Sequence, residues 1–244
     1  MDSLDLQTII NKLGSSLFAQ NIAFHRSLDS TNTLAKELAA QGAPEGTLVL
    51  AEEQSAGRGR MGRRWVSPGH VNLLFSLLLR PHIHKDQVFV TTMILALATI
   101  EAIKSKTGLT SRIKWPNDIF AAGKKLGGIL TEFSLRQEDI DYVVLGLGLN
   151  VNWSPHQTEG VSHLATSILA ETGSRISRYN LLVAILRIFE IYYGAVLSGQ
   201  IDDFYRTWNE VSMIIGRNVE ILSPIEKTHG RALRIDRSGA LIIE

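Results

Sequence analysis

A chain reversal in the middle of the sequence limits the fold more than any other feature. Two apolar stretches, Asp118-Ile119-Phe120 and Lys125 to Phe133, are separated by little more than Ala122-Gly123-Lys124. So short a link between strand-like segments is a hairpin turn, and a hairpin demands antiparallel pairing. A wholly parallel sheet wound by crossover helices is thereby excluded. Helices and strands come in clusters, without strict alternation. This predicts an α+β fold with a mixed or mostly antiparallel sheet.

The remaining elements follow from periodicity. Leu6, Ile9, Ile10, Leu13 and Leu17 recur at helical spacing and predict a helix over Leu4 to Phe18. Asn21 to Arg26, Thr47 to Ala51, Asn72 to Leu79, Arg112 to Lys114 and Tyr142 to Asn150 read as strands. Thr31 to Ala40 reads as a helix capped by Asp29-Ser30-Thr31-Asn32. Lys85 to Thr107 reads as a buried helix, and Leu164 to Ala170, Ser177 to Leu197 and Ile201 to Glu210 as further helices. After Gly216 the texture changes to short strands, Arg217 to Leu222, His229 to Asp236 and Ala240 to Ile243, separated by Ser223-Pro224 and Ser238-Gly239. A domain boundary is expected near residues 210–216, giving a main domain over 1–212 and a small one over 213–244. The tail is short for an independent core and resembles part of a small barrel docked on the main domain.

Composition narrows the function classes. Lys+Arg 25 against Asp+Glu 24 leaves a net charge of +1, too balanced for a surface that grips nucleic acid or anionic lipid throughout. With no cysteine there is no disulfide framework, zinc-thiolate site, iron–sulfur cluster or thiol nucleophile. A cytoplasmic location is the expectation that fits. The N-terminus has no basic stretch leading into an apolar run. The uncharged run from Gln87 to Ile100 is shorter than the ~18 residues of a membrane span, so no membrane role is expected.

Gly57-Arg58-Gly59-Arg60-Met61-Gly62-Arg63-Arg64-Trp65 carries the most chemical information. Glycines expose backbone N–H groups to a ligand, and guanidinium forks match phosphate or carboxylate oxygens. Gathering these like charges is unfavourable unless an anion or water compensates them. The segment matches the glycine pattern of dinucleotide-binding loops, but no helix follows it and no acid lies at the required distance. The Walker pattern fails too. Phosphate contact is therefore compatible with this loop, as is a solvated, flexible one.

Three further segments stand out. Lys114-Trp115-Pro116-Asn117-Asp118 crowds polar groups around a rigid corner; it is either a structural turn or an acid–base or metal-positioning pair of Lys114 and Asp118. In Lys125-Leu126-Gly127-Gly128-Ile129-Leu130 the lysine either points into a space left by the glycines or ends the hairpin in solvent. In Gly146-Leu147-Gly148-Leu149-Asn150 the alternating glycines strip one strand face, for a flat ligand or, as read without context, for close packing. His82 and His84 lack a third ligand at sensible spacing, so no metal site is assigned. A serine-nucleophile elbow is absent.

Together these segments resemble the biotin protein ligases. Asp29 to Asn32, Gln54 to Trp65, Lys114 to Asp118, Lys125 to Leu130 and Gly146 to Asn150 follow in that family's order. The resemblance runs from about residue 22 to the end. It implies a catalytic domain similar to class II aminoacyl-tRNA synthetases and a small SH3-like barrel. It also implies two half-reactions: biotin and ATP give biotinyl-5′-AMP and pyrophosphate, then a lysine of the biotin carboxyl carrier protein takes the biotin.

By this resemblance Ser30, Thr31, Asn32 and Gln54 meet biotin's ureido head or its neighbourhood. Arg58, Gly59 and Arg60 meet the biotin chain and carboxylate, with Arg58 near the α-phosphate, and Lys125 reaches the same groups. Trp65 covers the adenine, and Arg58, Arg60, Lys114, Asn117 and Asn150 lie on the nucleotide side. Arg58, Lys125 and Asp118 are the catalytic candidates, Asp118 orienting Lys125, a magnesium ion or the incoming amine. ATP with Mg2+ is the implied co-reactant, the loop is expected to order over the intermediate, and a homodimer is expected with Asp141 to Asn150 as the candidate edge strand. The residues before Asn21 are too few for the winged-helix repressor domain of some relatives, so a monofunctional type that binds no DNA is expected. The chain stops at Leu241 to Glu244, where relatives add further strands, so the barrel is expected to be truncated or completed differently. The rival readings are a lipoate or octanoate ligase or transferase of the same fold, and a non-enzymatic nucleic-acid module, against which the balanced charge argues.

Overall fold

The computed structural model describes residues 5–155, 164–222 and 227–244. Met1 to Leu4 and the Ser223-Pro224 separator lie outside them. A seven-stranded sheet has the order β1-β2-β3-β7-β6-β5-β4. Its strands are β1 (Ile22–Leu28), β2 (Thr47–Gln54), β3 (Leu73–Leu79), β4 (Arg112–Lys114), β5 (Asp118–Ala121), β6 (Lys124–Arg136) and β7 (Asp139–Leu149). Only β1 and β2 pair in parallel, joined through α2 (Thr31–Ala40); all other neighbours are antiparallel. The sheet is mixed, and the fold is α+β.

Alternation along β3 shows how the sheet separates two compartments. Leu73, Phe75, Leu77 and Leu79 join the large core formed with α3 (Phe89–Thr107) and α5 (Arg178–Leu197). Leu78 faces α2 together with Val49 and Val144. Ser76 shares that second face and is fully buried, a polar exception in an apolar strand. Each fully buried leucine contributes about 1.5–3 kcal/mol. The sheet is thus anchored on the α3/α5 side, and α2 covers only part of the other.

α3 and α5 are each long and apolar enough to cross a bilayer by length and composition, a property the uncharged run alone did not reveal. They pack against each other. Within α5, Phe189 stacks on Tyr193 at 5.8 Å, and it tilts against Phe18, ahead of β1, at 5.7 Å.

Three expectations need correction. The first helix, α1, spans Leu6–Leu13 and stops at Gly14, where φ is 62°; a separate 3-10 turn covers Leu17–Ala19. The helix placed at Leu164 begins later, as α4 (Ile168–Thr172), because Ser167 caps it by accepting from the Ala170 amide; Ala165 instead bridges to Lys125. Most consequentially, β7 is no edge strand: β3 pairs with one side and β6 with the other. The outermost strands are β1 and β4, and Ile113 of β4 is bridged to Ser212; among the described residues the end of β6 that outruns β5 has no strand on that side.

The C-terminal segment forms a three-stranded antiparallel sheet of β8 (Asn218–Leu222), β9 (Lys227–Ile235) and β10 (Leu241–Ile243), ordered β10-β9-β8. It docks through α6 (Asp202–Val211): Tyr205 Oη donates to the Arg237 carbonyl at 2.7 Å, and Asn209 Oδ1 accepts from the Ile235 amide at 3.0 Å. Trp115 Nε1 reaches the Gly239 carbonyl at 2.9 Å. These contacts hang the small sheet beside the main sheet's open face.

Candidate active site

The floor of the site follows from register. Gly128 pairs with Gly148 and Leu130 with Gly146, on the face away from α3 and α5. The missing side chains make room for two others. A Cβ on Gly146 would lie 2.0 Å from Asn32 Oδ1, and one on Gly148 would lie 2.6 Å from Trp65 Cε2. The face stripped by these glycines is filled by the side chains of Asn32 and Trp65, not by a neighbouring backbone.

The arginine-rich segment is a small hairpin folded over this floor. The Trp65 amide donates to the Gly57 carbonyl at 2.9 Å and the Gly59 amide to the Arg63 carbonyl at 2.7 Å, with Arg58 bridged to Arg64. A Cβ at Gly57 would meet the Trp65 carbonyl at 2.6 Å, so only glycine allows this closure. Met61 and Gly62 turn the tip with φ of 56° and 72°.

At the other end, the start of α2 departs from a simple cap. Ser30 is the N-cap by backbone, but its hydroxyl makes no cap hydrogen bond. Gln54 Oε1 takes that place, accepting from the Thr31 amide at 2.7 Å and from Thr31 Oγ1 at 3.1 Å. Ser76 Oγ lies 2.7 Å from Thr31 Oγ1 and donates to Asn32 Oδ1 at 2.6 Å, which explains the polar exception in β3. The Ser30 hydroxyl is left facing the cavity with no partner among the described residues.

Lys125 reaches the site through a β-bulge. Ile119 pairs with Gly127 and Phe120 with Lys125, leaving Leu126 unpaired on β6. Leu126 buries in the core, and the added residue turns Lys125 to the same face as Gly128. Its Nζ lies 2.6 Å from Asp118 Oδ1 and 5.9 Å from the centre of the Trp65 ring. Asp118 is thus ion-paired with Lys125. In the same corner Asn117 braces β6, its Nδ2 donating to the Ile129 carbonyl at 2.5 Å, while Lys114 lies over Phe120.

A cavity of about 580 Å3 unites these groups. Ser30, Thr31, Asn32, Gln54, Arg58, Gly59, Arg60, Trp65, Lys114, Asn117, Asp118 and Lys125 all line it. Asn150 does not: it is buried behind the floor, its Nδ2 donating to the Thr166 carbonyl at 2.9 Å and its amide to the Leu126 carbonyl at 2.9 Å, where it braces the bulge. Arg58, Arg60, Arg63, Arg64, Lys114 and Lys125 line the cavity with two carboxylates, Asp118 and Glu220, so it is strongly cationic and suited to anionic guests. The far wall is apolar and comes from the small sheet, at Val219, Ile221, Leu222 and Leu241.

Sequence reasoning missed Glu132, next to the cavity on β6. Its carboxylate accepts from Lys36 Nζ at 2.6 Å, Asn32 Nδ2 at 2.9 Å and Arg58 Nη2 at 3.0 Å. Burial pushes this carboxyl up, but the hydrogen bonds from Lys36 and Asn32 and the charges of Arg58 and Lys36 outweigh it and hold it below the usual glutamate range. Also missed was the buried pair of Arg178 and Glu52, at 2.5 Å, which fixes the start of α5 to β2. Among the described residues no three His, Cys, Asp or Glu side chains gather as a metal site.

A mixed sheet with a glycine floor, a cationic flap and a lysine–aspartate pair defines a class of protein whose cavity suits anionic ligands. Comparison with known proteins specifies the class. The model of the biotin/lipoate A/B protein ligase family matches residues 24–150. The bifunctional ligase/repressor BirA of Bacillus subtilis is 36% identical over 233 residues, covering 95% of this chain and 72% of its own. The biotin–[acetyl-CoA-carboxylase] ligase of Paracoccus denitrificans is 32% identical over 219 residues, covering 88% and 90%. The solved structure of the biotin protein ligase from Aquifex aeolicus in complex with biotin and ATP superposes with a TM-score of 0.79 at 27% identity, covering 92% of this chain and 91% of that one. The chain belongs to the biotin/lipoate A/B protein ligase family.

Proposed function

We propose that this chain is an ATP-dependent biotin protein ligase, which activates biotin to biotinyl-5′-AMP and transfers it to a lysine of a biotin carboxyl carrier protein. The observation that carries this reading is the single cavity that joins an amide–hydroxyl pocket, a cationic flap and the Lys125–Asp118 pair. Its support from relatives is the biotin–[acetyl-CoA-carboxylase] ligase activity for which the Paracoccus denitrificans protein is named.

The chemistry sets two problems. Biotin's carboxylate and the ATP phosphates repel one another, and negative charge builds on the α-phosphate as a carboxylate oxygen attacks it and pyrophosphate leaves. Fixed cations address both. Arg58, Arg60 and Lys125 neutralise the carboxylate and α-phosphate. Ser30 and Gln54 bind the ureido head, with Thr31 and Asn32 holding the cluster in shape. Trp65 covers the adenine, and Lys114 and Asn117 lie on the nucleotide side. In the second step the carrier lysine's uncharged amine attacks the acyl carbon and AMP leaves. The anhydride must be kept from water, so the flap orders over it.

Magnesium enters as the counter-ion of the triphosphate. Asp118 is committed to Lys125, and Glu132 to three donors, so the residues here do not build a resident metal site, and no step is routed through one.

Several finer assignments belong to the same reading. The main sheet is that of a class II aminoacyl-tRNA synthetase-like domain over 1–212, and the three-stranded sheet belongs to an SH3-like barrel over 213–244. The enzyme works in the cytoplasm as a homodimer, touching neither DNA nor membrane; its pairing surface is a free sheet edge, because β7 is central. The test is incubation with ATP, magnesium and either biotin or lipoate, followed by detection of the adenylate. Biotinyl-AMP is expected; lipoyl-AMP alone would transfer the site to the lipoate branch of the family, and neither product would refute the reading.

A further inference from the structure

A site that collects anions is weakened by a carboxylate of its own, yet β6 places Glu132 against the cationic flap. Alternation turns Gly128, Leu130 and Glu132 to one face. Glu132 lines a second cavity of about 420 Å3 beneath the flap, together with Arg58, Arg60 and Leu130. Its partners come from both halves of the ligand site. Asn32 belongs to the amide–hydroxyl cluster at the start of α2, and Arg58 belongs to the flap. Lys36 supplies a further cation at 2.6 Å, so the carboxylate is neutralised before it meets the flap.

The contact with Arg58 is one-sided. Nη2 alone engages Glu132, at 3.0 and 3.4 Å. Nε and Nη1 have no partner among the described residues, and Arg58 also lines the main cavity. A guanidinium anchored at one corner has fewer conformations to lose when a carboxylate or phosphate engages its other donors.

We propose that Glu132 is a positioning residue for adenylate formation: it anchors Arg58 by one nitrogen and couples the flap to the Ser30–Asn32 cluster. The inference rests on the biotin ligase reading and adds a residue to it.

The test is a double-mutant cycle of Glu132→Gln and Arg58→Ala, read as the Kd for a non-hydrolysable biotinyl-adenylate analogue, with thermal stability as the folding control. In the parent background Glu132→Gln is expected to weaken binding about tenfold, and in the Arg58→Ala background less than about twofold, since its route of action is gone. Lys36→Met, which leaves the Arg58 contact in place, is expected to have the smaller effect. Equal losses in both backgrounds, or parent-like binding by Glu132→Gln, would overturn the proposal. If Glu132→Gln does not fold, Glu132→Asp takes its place under the same criteria. A parent that fails to bind the analogue refutes the ligase reading itself, and that result is seen before any variant is made.

Discussion

The replacement Gly146→Ala tests the packing of the floor with a single methyl group. The added Cβ would sit 2.0 Å from Asn32 Oδ1 and 2.8 Å from its Cγ, so Asn32 must withdraw. Ordinary contact requires a retreat of more than about 1 Å. Asn32 cannot make that movement and keep its bonds. Its Oδ1 accepts from Ser76 Oγ at 2.6 Å, and its Nδ2 donates to the Leu130 carbonyl at 3.0 Å and to Glu132 at 2.9 Å. The side chain is buried, so water does not replace them. Losing two or three such bonds, one of them to a charged group, costs about 2–5 kcal/mol. The assay is the denaturant midpoint, with biotin affinity measured alongside. Asn32→Ala empties the contested space, so adding Gly146→Ala to it should cost less than about 0.5 kcal/mol. A parent-like Gly146→Ala, or the same cost in both backgrounds, would refute the reasoning.

Gly148→Ala should act on function more than on stability. Its Cβ would strike the Trp65 ring at 2.6 Å, and displacing the indole from the floor should weaken nucleotide binding about tenfold in a calorimetric titration, for a stability loss under about 1 kcal/mol. Trp208 is fully buried, with its ring edge-on to Phe89 at 5.6 Å between α6 and α3. Trp208→Ala should cost about 3–5 kcal/mol in a denaturant titration. The Glu132 carboxyl is held below its ordinary value, so its contribution is present above the unfolded pKa and is lost as pH falls through the folded one. The melting temperature of the parent should therefore exceed that of Glu132→Gln at neutral pH, with the gap closing as pH falls through and below the ordinary glutamate range.

What was legible in the sequence was whatever depends on neighbours along the chain. The hairpin between Asp118 and Phe133, the glycine–arginine flap and the alternating glycines of β7 carry their geometry locally. They predicted the antiparallel core of the sheet and the segments that supply the flap and floor of the cavity. What escaped depends on partners far apart in sequence. Glu132 looks like one more polar residue in a strand, and only the fold shows that Lys36, Asn32 and Arg58 converge on it. The bulge at Leu126 is a register effect, invisible until β5 and β6 are paired, yet it decides where Lys125 points. Asn150 follows directly on the glycine strand, but it sits where β7 ends and turns away from the cavity toward Thr166. The central place of β7 arises from β3 docking along it from over sixty residues upstream, a pairing that no local pattern encodes. The apolar wall at Val219, Ile221 and Leu222 likewise depends on how the small sheet docks.

A crystal structure of the chain with biotin and a non-hydrolysable ATP analogue tests the central claim most directly, namely that one cationic cavity holds both anions together. The account expects the biotin carboxylate and the α-phosphate side by side in that cavity, within about 3.2 Å of donors from Arg58 and Lys125. Either ligand bound outside this cavity, or both bound with Arg58 and Lys125 turned away, would contradict it.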